Sequence, residues 1–537
     1  MFSDYMLSRG RKKTKKQEDR EKELQQNQLG EYEQEPLLPV LADNIKLLQS
    51  EMGNSNDIVV RELALEGEGG FIKVAIIYVQ GLVDEFRMNE SIIQPMQSVP
   101  FQAGPDDPSR VQDELKNKIV AAGRVEEAKD WKKLFEGLFL GNALILLDGC
   151  NTALASSCVG GERRAVEEPK TETAIRGPRE GFVEALRVNT ALIRRKIRSP
   201  KLWMEQKTIG RETQTPVCIM YMKGLASEDT LQDLRDRLDA IDIDGILESS
   251  YIEELIADQK WTPFPTILNN ERPDVIASNL LEGRIAILVD GTPFVLIVPT
   301  ELNMFFQAAE DYYQRFDVAT FLRLLRFFSY VLALVMPSVY VAVVGYHQEM
   351  IPTPLLLKLV AQREGVPFPV YLEAFIMELV FEILREAVVR MPTIVGNAIS
   401  IVGGMVIGQS VVEAGIVSPP VVIVVAFTAI TSFVSPTYNL GIAARLLRFL
   451  LLIAASTLGF YGISIVLLLL LLHLSNLRSL GMPYMKPFSP MFRKDWKDTL
   501  LRAPMWMMRE RPQAIAVDNL VRADMDTKEL EGQEPVQ

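Results

Sequence analysis

The sequence predicts a soluble α/β domain built of two related subdomains, followed by an all-α polytopic membrane domain of about four spans. Three observations carry this prediction. Long apolar runs are confined to residues 324–474, above all LLRFLLLIAASTLGFYGISIVLLLLLLHL at 446–474. A run of about 18 apolar residues or more suits a helix that crosses the hydrocarbon core. The first half repeats itself: VAIIYVQGLVD at 74–84 resembles VCIMYMKGLAS at 217–227, pairing Tyr78 and Gly81 with Tyr221 and Gly224 at an offset of 143. Further on, GNALILLDG at 141–149 resembles GRIAILVDG at 283–291, at an offset of 142. Each repeat also alternates short Ile/Val/Leu strands, closed by Asp-Gly turns, with helical segments.

Residues 1–55 are rich in Lys, Glu, Gln and Arg without apolar periodicity and read as a disordered charged tail. The expected order is then a first α/β subdomain at 56–170, a linker helix at 171–203 and a second α/β subdomain at 204–320. A transmembrane domain at 321–476 and a cytosolic C-terminal tail at 477–537 complete it. In the second subdomain, Ser227 is the expected N-cap of SEDTLQDLRDRLDAI, with Glu228 and Asp229 in the first turn and Leu231, Leu234 and Leu238 as its apolar stripe. Gly81, Gly149, Gly224 and Gly291 read as turn residues. In the linker helix, Phe182, Leu186, Ala191 and Ile193 interleave with Arg187, Arg194, Arg195 and Arg198, whose basic face is expected in solvent or against a partner.

The net charge of −12 lies mainly in the soluble half, and nothing reads as a nucleic-acid footprint. The basic run RGRKKTKK at 9–16 is followed at once by Glu18, Asp19, Glu21 and Glu23, which fits a solvated tail or contact with anionic lipid. Three cysteines (Cys150, Cys158, Cys218) without a CxxC, and two histidines (His347, His473), exclude a disulfide framework and argue against a Cys/His metal site. No phosphate loop, GxSxG or HExxH occurs, so the expectation is a non-enzyme without a cofactor. The N-terminus lacks a signal-peptide pattern, which predicts a cytosolic soluble half.

Four spans are expected, at 324–346, 393–414, 419–435 and 446–474. Arg315 and Arg323 precede them, Arg326 sits at the start of the first, and Arg478, Lys486, Arg493, Lys494, Lys497 and Arg502 follow. Both ends should therefore be cytosolic, which needs an even number of crossings, although Arg445 and Arg448 ahead of the last span count against this. In the helix expected at 371–392, Glu378, Glu382 and Arg385 share one face with Glu386 beside them. Either the helix lies in the membrane interface or its acidic face borders a watery ion path. In the span at 392–415, Asn397, Ser400, Ile401, Gly404 and Gly408 share one face. Small residues there suit close helix packing or, in a symmetric ring, a pore lining with Ile401 as an apolar collar.

The runs GPREGF, LIRRKIRS, RPDVIASNLLEGRIAILVDGTPFVLIVP, EDYYQRF, PSVYVAVVGYHQEMIP, VPFP, FEILREAVVRMP, ISIVGGMVIGQ and GMPYMKPFSP resemble the A subunits of GerA-type spore germinant receptors, from about 171 to 490. The region before 171 fits loosely. The resemblance implies a protein of the inner membrane of dormant spores with two α/β subdomains in its soluble part. It implies a permease-like B subunit that senses the nutrient, a lipoprotein C subunit, and self-association into a ring that forms a ligand-gated cation channel. Arg176, Gly177, Pro178 and Glu180 lie where the motif is densest, which implies a subdomain or subunit junction. Two alternatives stay open: the sibling A-type channel protein of the sporulation dipicolinate operon, which amplifies germination, and a non-conducting membrane signalling scaffold. A secondary transporter would carry its repeats in the membrane half, whereas here they lie in the soluble half.

Overall fold

The computed structural model describes residues 35–68, 70–98, 100–118, 125–160, 169, 172, 174–391, 404, 408–513, 515 and 519–522. Contacts divide the chain into two units. One comprises residues 1–256, 269–299 and 505–537; the other comprises 257–268 and 300–504.

In the first unit, helix α1 (Leu41–Glu51) places Leu41, Ile45 and Leu48 on one buried stripe. Strands β1 (Ile58–Gly67) and β2 (Gly70–Val79) form an antiparallel hairpin. After α2 (Pro108–Lys118) come β3 (Val125–Ala128), α3 (Trp131–Phe139), β4 (Asn142–Leu147) and β5 (Ala153–Ser157). The sheet order is β1-β2-β4-β5-β3. β2 and β4 are apolar along most of their length because both faces of the sheet are covered, by α1 and α3 on one side and α2 on the other.

The second repeat has the same order: α4 (Leu186–Lys196), β6 (Leu202–Ile209), β7 (Thr215–Met222), α5 (Glu228–Asp239), α6 (Ser249–Ile256), β8 (Leu268–Asn270), α7 (Pro273–Leu281), β9 (Ile285–Val289) and β10 (Val295–Val298). Its sheet runs β6-β7-β9-β10-β8. Ser227 caps α5 through the amide of Thr230, and Leu231, Leu234 and Leu238 are its buried stripe.

The duplication reaches further than the sequence match. Asp148 Oδ1 accepts the amide of Leu41 at 3.0 Å, and Asp290 Oδ1 accepts that of Leu186 at 3.0 Å. Asn44 brackets the backbone of Leu38 through Nδ2 at 2.6 Å and Oδ1 at 2.9 Å; Asn189 does the same to Val183 at 2.6 and 2.9 Å. The aspartate of each Asp-Gly turn thus satisfies an orphan amide at a helix start. The following glycines, Gly149 and Gly291, adopt φ of 87° and 91°, which side-chain-bearing residues avoid.

Two expectations change as a result. Residues 35–55 belong to the first subdomain and not to a tail, since Leu37, Leu41, Leu48 and Met52 lie in its core. The helix at 186–196 is the opening helix of the second repeat, the counterpart of α1, and not a linker. Its apolar residues were legible in the sequence; those of α1 are diluted among polar neighbours.

The second unit is helical. Its elements are α8 (Phe316–Tyr346), α9 (Thr353–Arg363), α10 (Val370–Arg390), α11 (Pro419–Ser432), α12 (Tyr438–Leu458) and α13 (Phe460–Asn476). Among the described residues, α8 and α12 are long and apolar enough to cross a membrane, and α11 and α13 are shorter apolar helices. α8 packs against α11 and α12. The expected single span at 446–474 is divided at Gly459, whose φ of 60° and ψ of −136° end one helix before the next begins. Apolarity alone could not reveal this break, because the run stays hydrophobic through it. The expected tail at 477–537 is also divided: residues 477–504 pack in the helical unit, whereas the described residues 505–513, 515 and 519–522 group with the α/β unit. There Arg511 Nε donates to the carbonyl of Leu281 at 2.9 Å.

Candidate functional site

Two places concentrate charge where water is scarce. The first is the junction between the α/β repeats. Arg194 of α4 donates Nε to Asp57 Oδ2 at 2.6 Å and Nη2 to Asp57 Oδ1 at 3.0 Å, with both side chains buried. This two-pronged geometry favours arginine over lysine. The pair joins the second repeat to the segment that precedes β1. Trp203 Nε1 donates to the carbonyl of Glu51 at 3.0 Å, and the amide of Met204 to Ser55 Oγ at 3.0 Å, across the same junction. Reading Arg194 as part of a solvated basic face is therefore corrected: α4 is covered on that side. Burial, then the charge of Asp57, pushes the Cys218 thiol well up, so it stays protonated and inert.

Beside this pair lies a cavity of about 710 Å³ between the repeats. Its lining includes Asp57, Asp84, Glu85, Arg187, Arg195 and Asp290. Both signs of charge therefore face one space, an arrangement suited to a small polar solute and ill suited to an apolar one.

The segment expected at a subdomain or subunit junction lies against the second repeat. Arg176, Gly177 and Glu180 are exposed and Pro178 is half-buried. Arg272 of the second repeat holds the segment by donating Nη2 to the carbonyl of Pro178 at 2.9 Å, and Lys196 pairs with Glu180 at 3.1 Å. Burial pushes the nearby Glu172 up to about 7, opposed by the amide of Asn270 and the charge of Arg272.

The second place is the face shared by α10 and α12. Glu378 Oε2 accepts from Arg448 Nη1 at 2.6 Å, and Arg448 Nε donates to the carbonyl of Ala333 on α8 at 2.9 Å. One turn along, Glu382 Oε2 accepts from Arg445 at 3.1 Å, and its other oxygen faces Arg385 at 3.5 Å. Arg385 also donates to Ser432 Oγ on α11 at 2.8 Å and lies over the rings of Phe381 and Phe433. Glu386 stands apart, exposed and paired with Arg390 at 2.6 Å. Glu378 and Glu382, but not Glu386, are thus brought together with Arg445 and Arg448, which in the sequence served only as topology markers. The matching spacings, i, i+4 on α10 and i, i+3 on α12, were the available signal.

Glu373 was not anticipated. It is fully buried and accepts from the amide and hydroxyl of Ser418 at 2.8 and 2.7 Å, with Arg363 at 3.2 Å. Of the face expected to line a pore, Asn397, Ser400 and Ile401 lie outside the described residues. A Cβ added at Gly404 would meet nothing within 4 Å, and one added at Gly408 would stand 3.8 Å from Val422 Cγ1. Among the described residues, no cluster of His, Cys, Asp and Glu could hold a metal ion.

Comparison with known proteins gives these features a setting. The family model described as Bacillus/Clostridium GerA spore germination protein matches residues 46–514. Spore germination protein KA of Bacillus subtilis (strain 168) is 48% identical over 490 residues, covering 91% of this chain and 89% of that one. Spore germination protein GerLA of Bacillus cereus is 39% identical over 483 residues, covering 90% and 97%. YfkQ of Bacillus subtilis (strain 168), an uncharacterized membrane protein, is 41% identical, covering 93% and 94%. The crystal structure of the N-terminal domain of the A subunit of the Bacillus megaterium spore germinant receptor GerK3 is 39% identical and covers 49% of this chain and 96% of that one, with a TM-score of 0.39. The chain belongs to the GerA family of spore germination proteins, and its role lies in spore germination.

Proposed function

We propose that this protein is the A subunit of a nutrient germinant receptor: a multi-pass protein of the spore inner membrane that assembles as a ring and conducts cations when the receptor is engaged. The observation that carries the reading is the charged cluster of Glu378, Glu382, Arg385, Arg445 and Arg448 within apolar helices. Charges at membrane depth are costly unless they pair or border water, and they mark ion pathways by default. Connectivity supports the topology. The chain leaves the α/β unit after Pro299 and rejoins it at Met505, which is in keeping with an even number of crossings, and a cytosolic α/β unit fits the flanking basic residues. Asn397, Ser400, Ile401, Gly404 and Gly408 form the proposed pore lining. Glu378, Glu382 and Glu386 form the acidic approach, and Arg176, Gly177, Pro178 and Glu180 form a contact to another subunit. A permease-like B subunit, a lipoprotein C subunit and membrane lipid are the proposed partners.

Planar-bilayer recording of the purified full-length chain tests this reading. Cation currents are expected, and Ile401→Ala should raise the unstimulated current. Cysteine substitutions along residues 394–409 should react with a water-soluble thiol reagent every three to four residues, on the Asn397/Ile401/Gly404/Gly408 face. Silent bilayers, or labelling without a helical period, would favour a signalling scaffold.

The cavity beside Asp57 favours a second, compatible reading, in which the α/β unit itself receives a small solute carrying both charges. Altered solute dependence in Arg187→Ala and Asp290→Asn, with normal protein levels, would support it.

A further inference from the structure

The loop between α6 and β8 belongs by its packing to the helical unit, although the sequence places it inside the second α/β repeat. Four contacts hold it on the C-terminal end of α13 and the turn that follows. Thr262 Oγ1 meets His473 Nε2 at 2.9 Å, Gln259 Nε2 donates to the carbonyl of Asn476 at 3.4 Å, the amide of Gly481 donates to Asp258 at 3.0 Å, and the Phe264 ring lies 6.3 Å from that of His473. At the tip of this fixed loop Trp261 is 96% exposed, next to the exposed Lys260.

A fully exposed indole on a held loop needs a partner, and α13 indicates which. Its flank exposes Ile465, Leu468, Leu469, Leu471 and Leu472. At about 1.5 Å per residue the helix is roughly 25 Å long, close to the thickness of a hydrocarbon core. Its other end carries Tyr461, 76% exposed and against the ring of His347, and the exposed Tyr346 donates its hydroxyl to the carbonyl of Ser456 near the end of α12, so aromatic rings mark both ends of the apolar stretch. Trp and Tyr collect at the two membrane–water borders, because the ring is apolar and the N–H or O–H wants water.

We propose that residues 258–264 form a lipid-interface anchor, in which Trp261 seats among the headgroups at the C-terminal border of α13 and Lys260 faces anionic lipid. The anchor rests on the membrane reading of α13.

The test uses full-length protein in vesicles of phosphatidylcholine and phosphatidylglycerol, with lipids brominated either near the headgroup or near the chain end. The emission of Trp261 is obtained as the difference between the wild type and Trp261→Phe. It should lose roughly half its intensity to the shallow quencher and little to the deep one. Emission that ignores both quenchers but responds to aqueous acrylamide would place the ring in water and overturn the anchor. Shielding from lipid and acrylamide alike would mean that protein covers it, which also overturns the anchor. In either case, continued flotation of the protein with the vesicles would leave the membrane reading intact; loss of flotation would remove both.

Discussion

Arg448 on α12 donates to Glu378 on α10 at 2.6 Å, and each side chain is at most 1% exposed. Glu378 Oε1 and Arg448 Nη2 have no hydrogen-bond partner among the described residues. The pair is therefore enclosed but incompletely satisfied, a state in which removing one member costs more than removing both. Glu378→Gln should destabilise the protein by about 3–5 kcal/mol, whereas the double change Glu378→Leu with Arg448→Met should recover most of the loss. Thermal unfolding in detergent checks this. Equal losses in the single and double variants would contradict it.

The Asp57–Arg194 pair makes an analogous prediction for the α/β unit. Asp57→Asn should lower stability by about 3 kcal/mol by leaving a buried guanidinium uncompensated. Arg194→Lys should not rescue the junction, because an ammonium cannot make the two-pronged contact. Denaturant titration of the full chain, followed through the buried Trp131, measures both.

Gly459 is the hinge between α12 and α13. A Cβ there would stand 3.0 Å from Tyr346 Cβ and 3.1 Å from His347 Cε1, in a backbone region that L-residues avoid. Gly459→Ala should cost about 1–3 kcal/mol and reduce accumulation in the membrane fraction. Nearby, a Cβ at Gly462 would fall within 2.1 Å of the carbonyl oxygen of Ala454, so Gly462→Ala should be at least as damaging. Normal accumulation of both variants would show that the two helices can run on as one.

Burial, reinforced by the charge of Glu248, pushes Glu253 up to about 7 from 4.5. The folded state thus binds a proton more tightly than the unfolded state, so stability falls as pH rises from about 4.5 to 7 and is level beyond. The loss contributed by this group is of the order of 2–3 kcal/mol. Glu253→Gln should flatten the decline over that window. An unchanged pH profile of the melting temperature would assign the decline to other groups.

Much of the fold was legible. The offset matches at Tyr78/Tyr221 and Gly141/Gly283 revealed the duplication, because strand apolarity and turn glycines are local requirements that each repeat must meet separately. The stripe of α5 and its Ser227 cap were legible for the same reason. α1 was not, since three leucines and an isoleucine among charged residues resemble a tail until Asp148 and Asn44 fix their ends. Within the membrane half, the shared face of Glu378 and Glu382 could be read from helical spacing. Their partners could not, because Arg445 and Arg448 lie more than sixty residues away along the chain.

The sequence by itself determined the two-part architecture, the repeat, the apolar helical half and the family resemblance. Composition, periodicity and motif order are properties of short segments, and they survive without knowledge of packing. Only the tertiary structure decided that Arg194 closes on Asp57, that Arg448 closes on Glu378, that the run at 446–474 turns at Gly459, and that Trp261 stands exposed at the end of α13. Each of these depends on which distant segment occupies the neighbouring space. A buried charge takes its meaning from its partner, and that partner is chosen by the fold rather than by the local pattern.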